Sequence, residues 1–177
     1  MSKYAAFLRG INVGGHKPVK MDELKKALEL TGFKNVKTLL ASGNILFETS
    51  KMPTYKLSKK IDEALEKKFE FKIPVIVRTL EELQELSDSD PFKGIEVTPQ
   101  TRLYITFLSE EVKSNLKIPY ESPEKNFKII HVTKNEICSV LTLTPESKTV
   151  ELMGVLEKEF GKNVTTRNWN TIIKLLK

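Results

Sequence analysis

The chain has almost none of the residues from which metal centres and disulfide frameworks are built. Among its 177 residues are one cysteine, Cys138, and two histidines, His16 and His131. Neither a disulfide network nor a Cys/His zinc site can be assembled from these. Any chemistry is expected to be metal-free or to use a metal held by carboxylates and substrate, and no cofactor is expected. No apolar run approaches the roughly 18 to 20 residues a membrane helix needs, and Met1–Ala6 lacks the charged-then-apolar design of a secretory signal. The expectation is a cytoplasmic protein with no membrane partner. No GxSxG elbow, HExxH pair or paired-acid motif occurs, which leaves nucleophilic and metal-assisted hydrolysis without support. Acids are missing from both ends. Met1 to Met21 carries Lys3, Arg9, Lys17 and Lys20, and Phe160 to Lys177 carries Lys162, Arg167, Lys174 and Lys177.

What is present suffices for a core, since 40% of the residues are apolar and 8% aromatic. The formal net charge is +6, a mild excess rather than a polybasic design. Its placement is more informative, because Glu81, Glu82, Glu85, Asp88 and Asp90 form an acidic run between the two basic ends. Separated faces of this kind steer an anionic partner or support self-association, and they are also what ordinary solvated surface looks like.

Periodicity gives the elements. Tyr4–Ile11 reads as a buried strand, and Leu24, Ala27 and Leu28 mark a helix over Met21–Thr31 that Gly32 closes. Val36–Ala41 and Ile45–Phe47 form a hairpin around Ser42-Gly43-Asn44. Leu57, Ile61, Ala64, Leu65 and Phe69 mark a long helix, Ile73–Thr79 a strand, and Leu80, Leu83 and Leu86 a short helix that Pro91 stops. This β-α-β-β-α-β order is the split βαβ, or ferredoxin-like, plan. The order then nearly repeats. Arg102–Leu108 is a strand, Glu110–Leu116 a short helix, and Phe127–Val132 with Ile137–Leu143 a hairpin around Lys134-Asn135. Thr144-Pro145 then opens a helix carrying Val150, Met153, Leu156 and Phe160. Val164–Thr166 leaves room for a strand stub, and Trp169, Ile172, Ile173 and Leu176 make a final helix. The expected fold is α+β, with two ferredoxin-like lobes of antiparallel sheet over 1–90 and 101–177 and a linker over 91–100. The second lobe has a short last strand and an extra C-terminal helix.

Three segments could carry chemistry. Arg9–Lys20 is a glycine-rich, acid-free loop between strand and helix, able to turn backbone N–H groups toward an anion while Lys17 or Lys20 closes over it. It has neither the GxxxxGK[ST] nor the GxGxxG spacing, and glycines that serve only a tight turn are the competing reading. In a ferredoxin-like sheet the Ser42–Asn44 turn lies at the same edge, which brings Ser42, Gly43 and Asn44 toward Asn12, Gly14 and Lys17, with Gly15 a further ligand-binding candidate. A Ser-Gly-Asn turn is equally what a hairpin wants. The third segment is Val164–Thr171, where Arg167 could clamp a carboxylate or phosphate. The competing reading there is a helix cap by Thr166 or Asn168 with Trp169 in the core. His16 lacks an identifiable carboxylate partner, His131 reads as a strand residue, and Cys138 as a buried thiol.

FLRGINVGG (Phe7–Gly15), Val19-Lys20-Met21 with Leu24, GFKNVKT (Gly32–Thr38), SGN (Ser42–Asn44), Ser147-Lys148 and TTRNWNT (Thr165–Thr171) together resemble the signature of a bacterial family, domain of unknown function 1697. The resemblance covers essentially the whole chain. It implies two ferredoxin-like lobes and brings no established activity, substrate or catalytic set. It also suggests a shared polar site built from Arg9, Asn12, Gly14, Ser42, Asn44 and Arg167, with Lys148 beside them.

The favoured function is binding of an anionic or nucleotide-like small molecule at the glycine loop and SGN turn, as an enzyme or a sensor. A partner-binding or self-associating protein, for example a homodimer, is the alternative. An RNA-binding module is the third reading, unsupported by motif, since Tyr4, Phe7 and Phe47 lie in strands that lack the [KR]G[FY][GA]FVx[FY] pattern.

Overall fold

The computed structural model describes residues 1–146 and 149–177, with the backbone alone described at Thr149 and Val150. The chain divides into two compact units, Met1–Glu85 with Leu176, and Leu86–Leu175 with Lys177.

In the first unit the elements are β1 (Ser2–Leu8), α1 (Met21–Leu30), β2 (Lys34–Leu39), β3 (Asn44–Thr49), α2 (Thr54–Phe69) and β4 (Val75–Thr79). The sheet order is β2-β3-β1-β4, antiparallel throughout, as the ferredoxin-like plan requires. Strand β1 is central and fully buried from Tyr4 to Leu8. Its alternate residues Tyr4, Ala6 and Leu8 pack with Leu24 and Leu28 of α1 and Leu57, Ile61 and Leu65 of α2, so the helical stripes read from the sequence meet one sheet face. Burying one such large aliphatic side chain stabilises the fold by roughly 1.5–3 kcal/mol. The strand ends three residues before Ile11, because Gly10 turns the chain at φ 72°, although Ile11 still reaches the core. Helix α3 (Leu80–Asp88) follows β4 with no intervening residue. A reciprocal cap makes this abrupt change possible. The Thr79 backbone N–H donates to Glu82 Oε2 (2.7 Å), and the Glu82 N–H donates to Thr79 Oγ1 (3.0 Å).

The second unit contains β5 (Thr101–Leu108), β6 (Tyr120–Glu121), β7 (Phe127–Val132), β8 (Glu136–Thr142), α4 (Thr149–Phe160), β9 (Val164–Asn168) and α5 (Trp169–Leu175). Its sheet runs β6-β7-β8-β5-β9. Apart from the two-residue β6, this repeats the order of the first sheet. The expected helix over Glu110–Leu116 is absent. From Glu111 to Tyr120 the residues alternate between exposed and partly buried, and Val112, Leu116, Ile118 and Tyr120 lie against the core. That alternation is the signature of extended chain, and Ser114 Oγ fixes it locally by accepting from Leu116 N (3.1 Å). Thr144-Pro145 does not open α4, which begins at Thr149; Pro145 and Glu146 form a turn. The last strand is no stub, since β9 pairs with β5 over five residues from Val164 to Asn168. Trp169 starts α5, and its indole meets the Phe92 ring edge-on at 5.4 Å. No helix is long and apolar enough to cross a membrane, among the described residues.

Candidate functional site

The loop after β1 is a miniature hairpin. Asn12 N–H donates to Lys17 O (3.2 Å) and His16 N–H to Val13 O (3.0 Å), with Gly14 and Gly15 at the tip. Their φ angles of 58° and 76° are those of a primed two-residue turn, which any L side chain would strain. The turn reading of these glycines therefore has its geometric basis. The same geometry leaves the Gly14 and Gly15 N–H groups without a hydrogen bond among the described residues, and Asn12 through Pro18 are all exposed.

Asn12 fastens this hairpin down. Its Nδ2 donates to Val19 O (3.0 Å) and Ala41 O (2.8 Å), while its Oδ1 accepts from Val19 N (2.8 Å). One amide thus ties the loop to the entrance of α1 and to the β2–β3 turn. Asn12 sits at φ 54°, a left-handed conformation that asparagine tolerates better than most residues. Of the convergence expected from the sheet order, the structure shows the β2–β3 turn meeting the end of β1 at Gly43 and meeting Asn12 at Ala41. Leu8 N–H donates to Gly43 O (2.9 Å), and Gly43 is buried against Leu8 and Ile11. Asn44 is fully buried and donates to Leu39 O (2.8 Å) and Ser42 Oγ (3.1 Å), whereas Ser42 is exposed.

The segment before β4 joins at the same end of the sheet. Arg9 N–H donates to Pro74 O (2.9 Å). Lys17 Nζ donates to Lys72 O (3.2 Å) and lies 5.7 Å from the centre of the Phe71 ring, which holds the ammonium group in place. Sequence reading missed Phe71 and Lys72. The available signal was the strand order, because β4 neighbours β1 with Val75 opposite Leu8, and whatever precedes β4 must meet whatever follows β1. Lys20 is exposed and forms the N-cap of α1 without a side-chain cap, and Asp22 and Glu23 follow in the first turn. Asp62 of α2 carries a buried Oδ1 with no hydrogen-bond partner among the described residues. Burial, and after it Glu66, hold its carboxyl above the usual carboxylate range against the pull of Lys72 and the Ile73 N–H.

The remaining candidates belong to the second unit. Arg167 is in β9, opposite Ile105, not at the head of the last helix. It is 8% exposed, and its Nη1 donates to Thr165 Oγ1 (2.8 Å) and Thr166 O (2.9 Å). Burial pulls its guanidinium down to about 10. Asn168 ends β9, and its Oδ1 accepts from Asn170 N–H (2.9 Å) as a cap for α5. Cys138 is buried, and His131 is an exposed strand residue. Lys148 lies outside the described residues. No group of three His, Cys, Asp or Glu side chains is placed to hold a metal ion among the described residues.

Fold and strand order define a tandem ferredoxin-like α+β protein with a fastened, exposed glycine hairpin at the end of the central strand β1. The solved structure of conserved bacterial protein SP0830 from Streptococcus pneumoniae has the same fold, with a TM-score of 0.70 and 23% identity over 99% of each chain. The sequence model described as "Protein of unknown function (DUF1697)" matches residues 1–138, and the chain belongs to that family. The matched stretch holds the glycine hairpin and the SGN turn, while Lys148 and Arg167 lie beyond it. No curated protein matches the sequence.

Proposed function

We propose that the protein binds an anionic small molecule, a phosphate ester or carboxylate, at the tip of the glycine hairpin. The single observation that carries this reading is the pair of unengaged Gly14 and Gly15 N–H groups on a fastened, solvent-exposed turn whose flanking charges are all positive. Lys17 is held beside Phe71, Lys20 stands at the start of α1, and no acid occurs from Met1 to Met21. Backbone N–H groups turned outward by successive positive-φ residues favour anions. Ser42 is exposed on the neighbouring turn, with its Oγ accepting from Asn44 Nδ2. Asn12 acts through the hairpin, as the residue that positions it. Nothing favours the RNA-binding reading at Tyr4, Phe7 and Phe47, which are at most 1% exposed and so do not offer their rings to a base.

The test is a thermal-shift and calorimetric titration with inorganic phosphate, pyrophosphate, ADP and citrate, at low and moderate salt. A ligand present at a hundredfold its Kd stabilises the folded state by about 2.7 kcal/mol. At least one anion is expected to raise Tm, and the Lys17→Gln, Lys20→Gln double variant is expected to lose the effect while keeping its own fold. No shift with any anion, or an undiminished shift in the double variant, removes the reading.

A further inference from the structure

On the far side of the helical layer, α1 and α2 enclose a cleft of about 630 Å³. Its floor is small and apolar, made by Ala27 and Ala64, and on its rim Leu30 is 89% exposed. Lys26, Lys67 and Lys68 line it against a single acid, Glu23. These three lysines form no ion pair among the described residues, whereas Lys25 and Lys59 on the same helices, which do not line the cleft, pair with Glu29 (3.8 Å) and Glu63 (3.9 Å). Lys67 and Lys68 stand in the last turn of α2 and answer its dipole. Lys26 has no such explanation, since α1 carries no base in its last turn and Lys26 lies in mid-helix.

We infer that this cleft docks an acidic, amphipathic helix of a partner protein. A groove between two helices receives the apolar ridge of a third through positions spaced i, i+3 and i+4, and small floor residues allow close approach. Leu30 supplies the apolar contact at the rim. The unneutralised lysines select a negatively charged partner and raise its association rate, with the salt dependence of a charged rim.

The experiment uses the full chain and two synthetic helix-forming peptides with leucine at identical i, i+4 and i+7 positions. One carries glutamate and the other lysine on the flanking faces, and fluorescence anisotropy reads their binding. The acidic peptide is expected to bind and the basic one not. The Lys26→Glu, Lys67→Glu double variant is expected to weaken binding by about tenfold or more. Leu30→Gln, which touches no ion pair, is expected to weaken it independently, with unchanged circular dichroism for both variants. Equal binding of the two peptides, no binding of either, or indifference to charge reversal overturns the inference. So does sedimentation that shows the wild type self-associating and the same variants dissociating it, because the occupant is then a second copy of this chain.

Discussion

A Cβ placed on Gly43 would lie 2.7 Å from Cβ of Leu8 and 2.9 Å from Cδ1 of Ile11. Both neighbours are core residues, and Gly43 itself is at φ 84°. The β2–β3 turn thus has no room for a side chain at its point of closest approach to the end of β1. Gly43→Ala is expected to lower stability by about 2–4 kcal/mol, combining overpacking with backbone strain. Gly15, at φ 76° with nothing within 4 Å of its missing Cβ, gives the internal control. Gly15→Ala is expected to lower stability by only about 1 kcal/mol. Urea denaturation of the two variants checks the order, and equal losses would contradict it.

Asn12 spends three hydrogen bonds on backbone atoms of Val19 and Ala41. Asn12→Ala is expected to destabilise the protein by about 1–3 kcal/mol. Asn12→Asp keeps the acceptor for Val19 N–H but turns a carboxylate oxygen toward two carbonyls, so it is expected to be no better tolerated. Hydrogen exchange at Val19 N–H reports the loss of its acceptor in Asn12→Ala locally, and retained protection in that variant would refute the fastening role.

The Asp62 carboxyl is held above its ordinary range chiefly by burial. Its unfolded-state value is about 3.9. A carboxyl whose pKa is higher in the folded state favours folding most below the unfolded value, and that contribution is lost as pH rises through the folded value. Asp62→Asn does not titrate. The stability of the variant relative to wild type is therefore expected to grow as pH rises from acid toward neutrality and then to level off. Denaturant titrations across that range measure the difference, and a flat or opposite slope would overturn the assignment.

Burial, helped by Glu136, pushes the Cys138 thiol up to about 12. At pH 8 its thiolate fraction is then on the order of one in ten thousand, and the sulfur is also shielded from reagents. The native protein is expected to resist a disulfide reagent such as dithionitrobenzoate, and one thiol is expected to react in denaturant. Rapid labelling of the native chain would contradict this.

Ser139 is fully buried, and its hydroxyl has no hydrogen-bond partner among the described residues. Leaving such a group unsatisfied costs roughly 1–3 kcal/mol. Ser139→Ala is expected to raise Tm, and a marked decrease would show that the hydroxyl is satisfied.

The first unit was legible because its signals agree. Leu24, Ala27 and Leu28 at helical spacing, the buried run from Tyr4 and the Ser42–Asn44 turn admit one arrangement, and that arrangement predicts which loops meet. Val112 and Leu116 misled because a separation of four residues satisfies helical spacing and extended alternation equally. The Thr79–Glu82 cap was visible as Thr-x-x-Glu and was overlooked in favour of the leucine pattern that follows. Asn12 reads as a ligand donor in any list of polar residues, yet its partners are backbone atoms, which carry no residue signature. The hold of Lys72 O on Lys17 escaped for the same reason and could be reached only through strand order.

The turn from Val13 to His16 closes on its own hydrogen bond, and no atom crowds the open side of Gly15. With its two glycines kept, the apex is expected to accept an insertion without disturbing the Asn12 fastening or the core beneath it. In engineering terms the hairpin is a socket: a guest peptide spliced between Gly14 and Gly15 would be displayed beyond the end of β1, on a stem that Asn12 already ties to Val19 and Ala41.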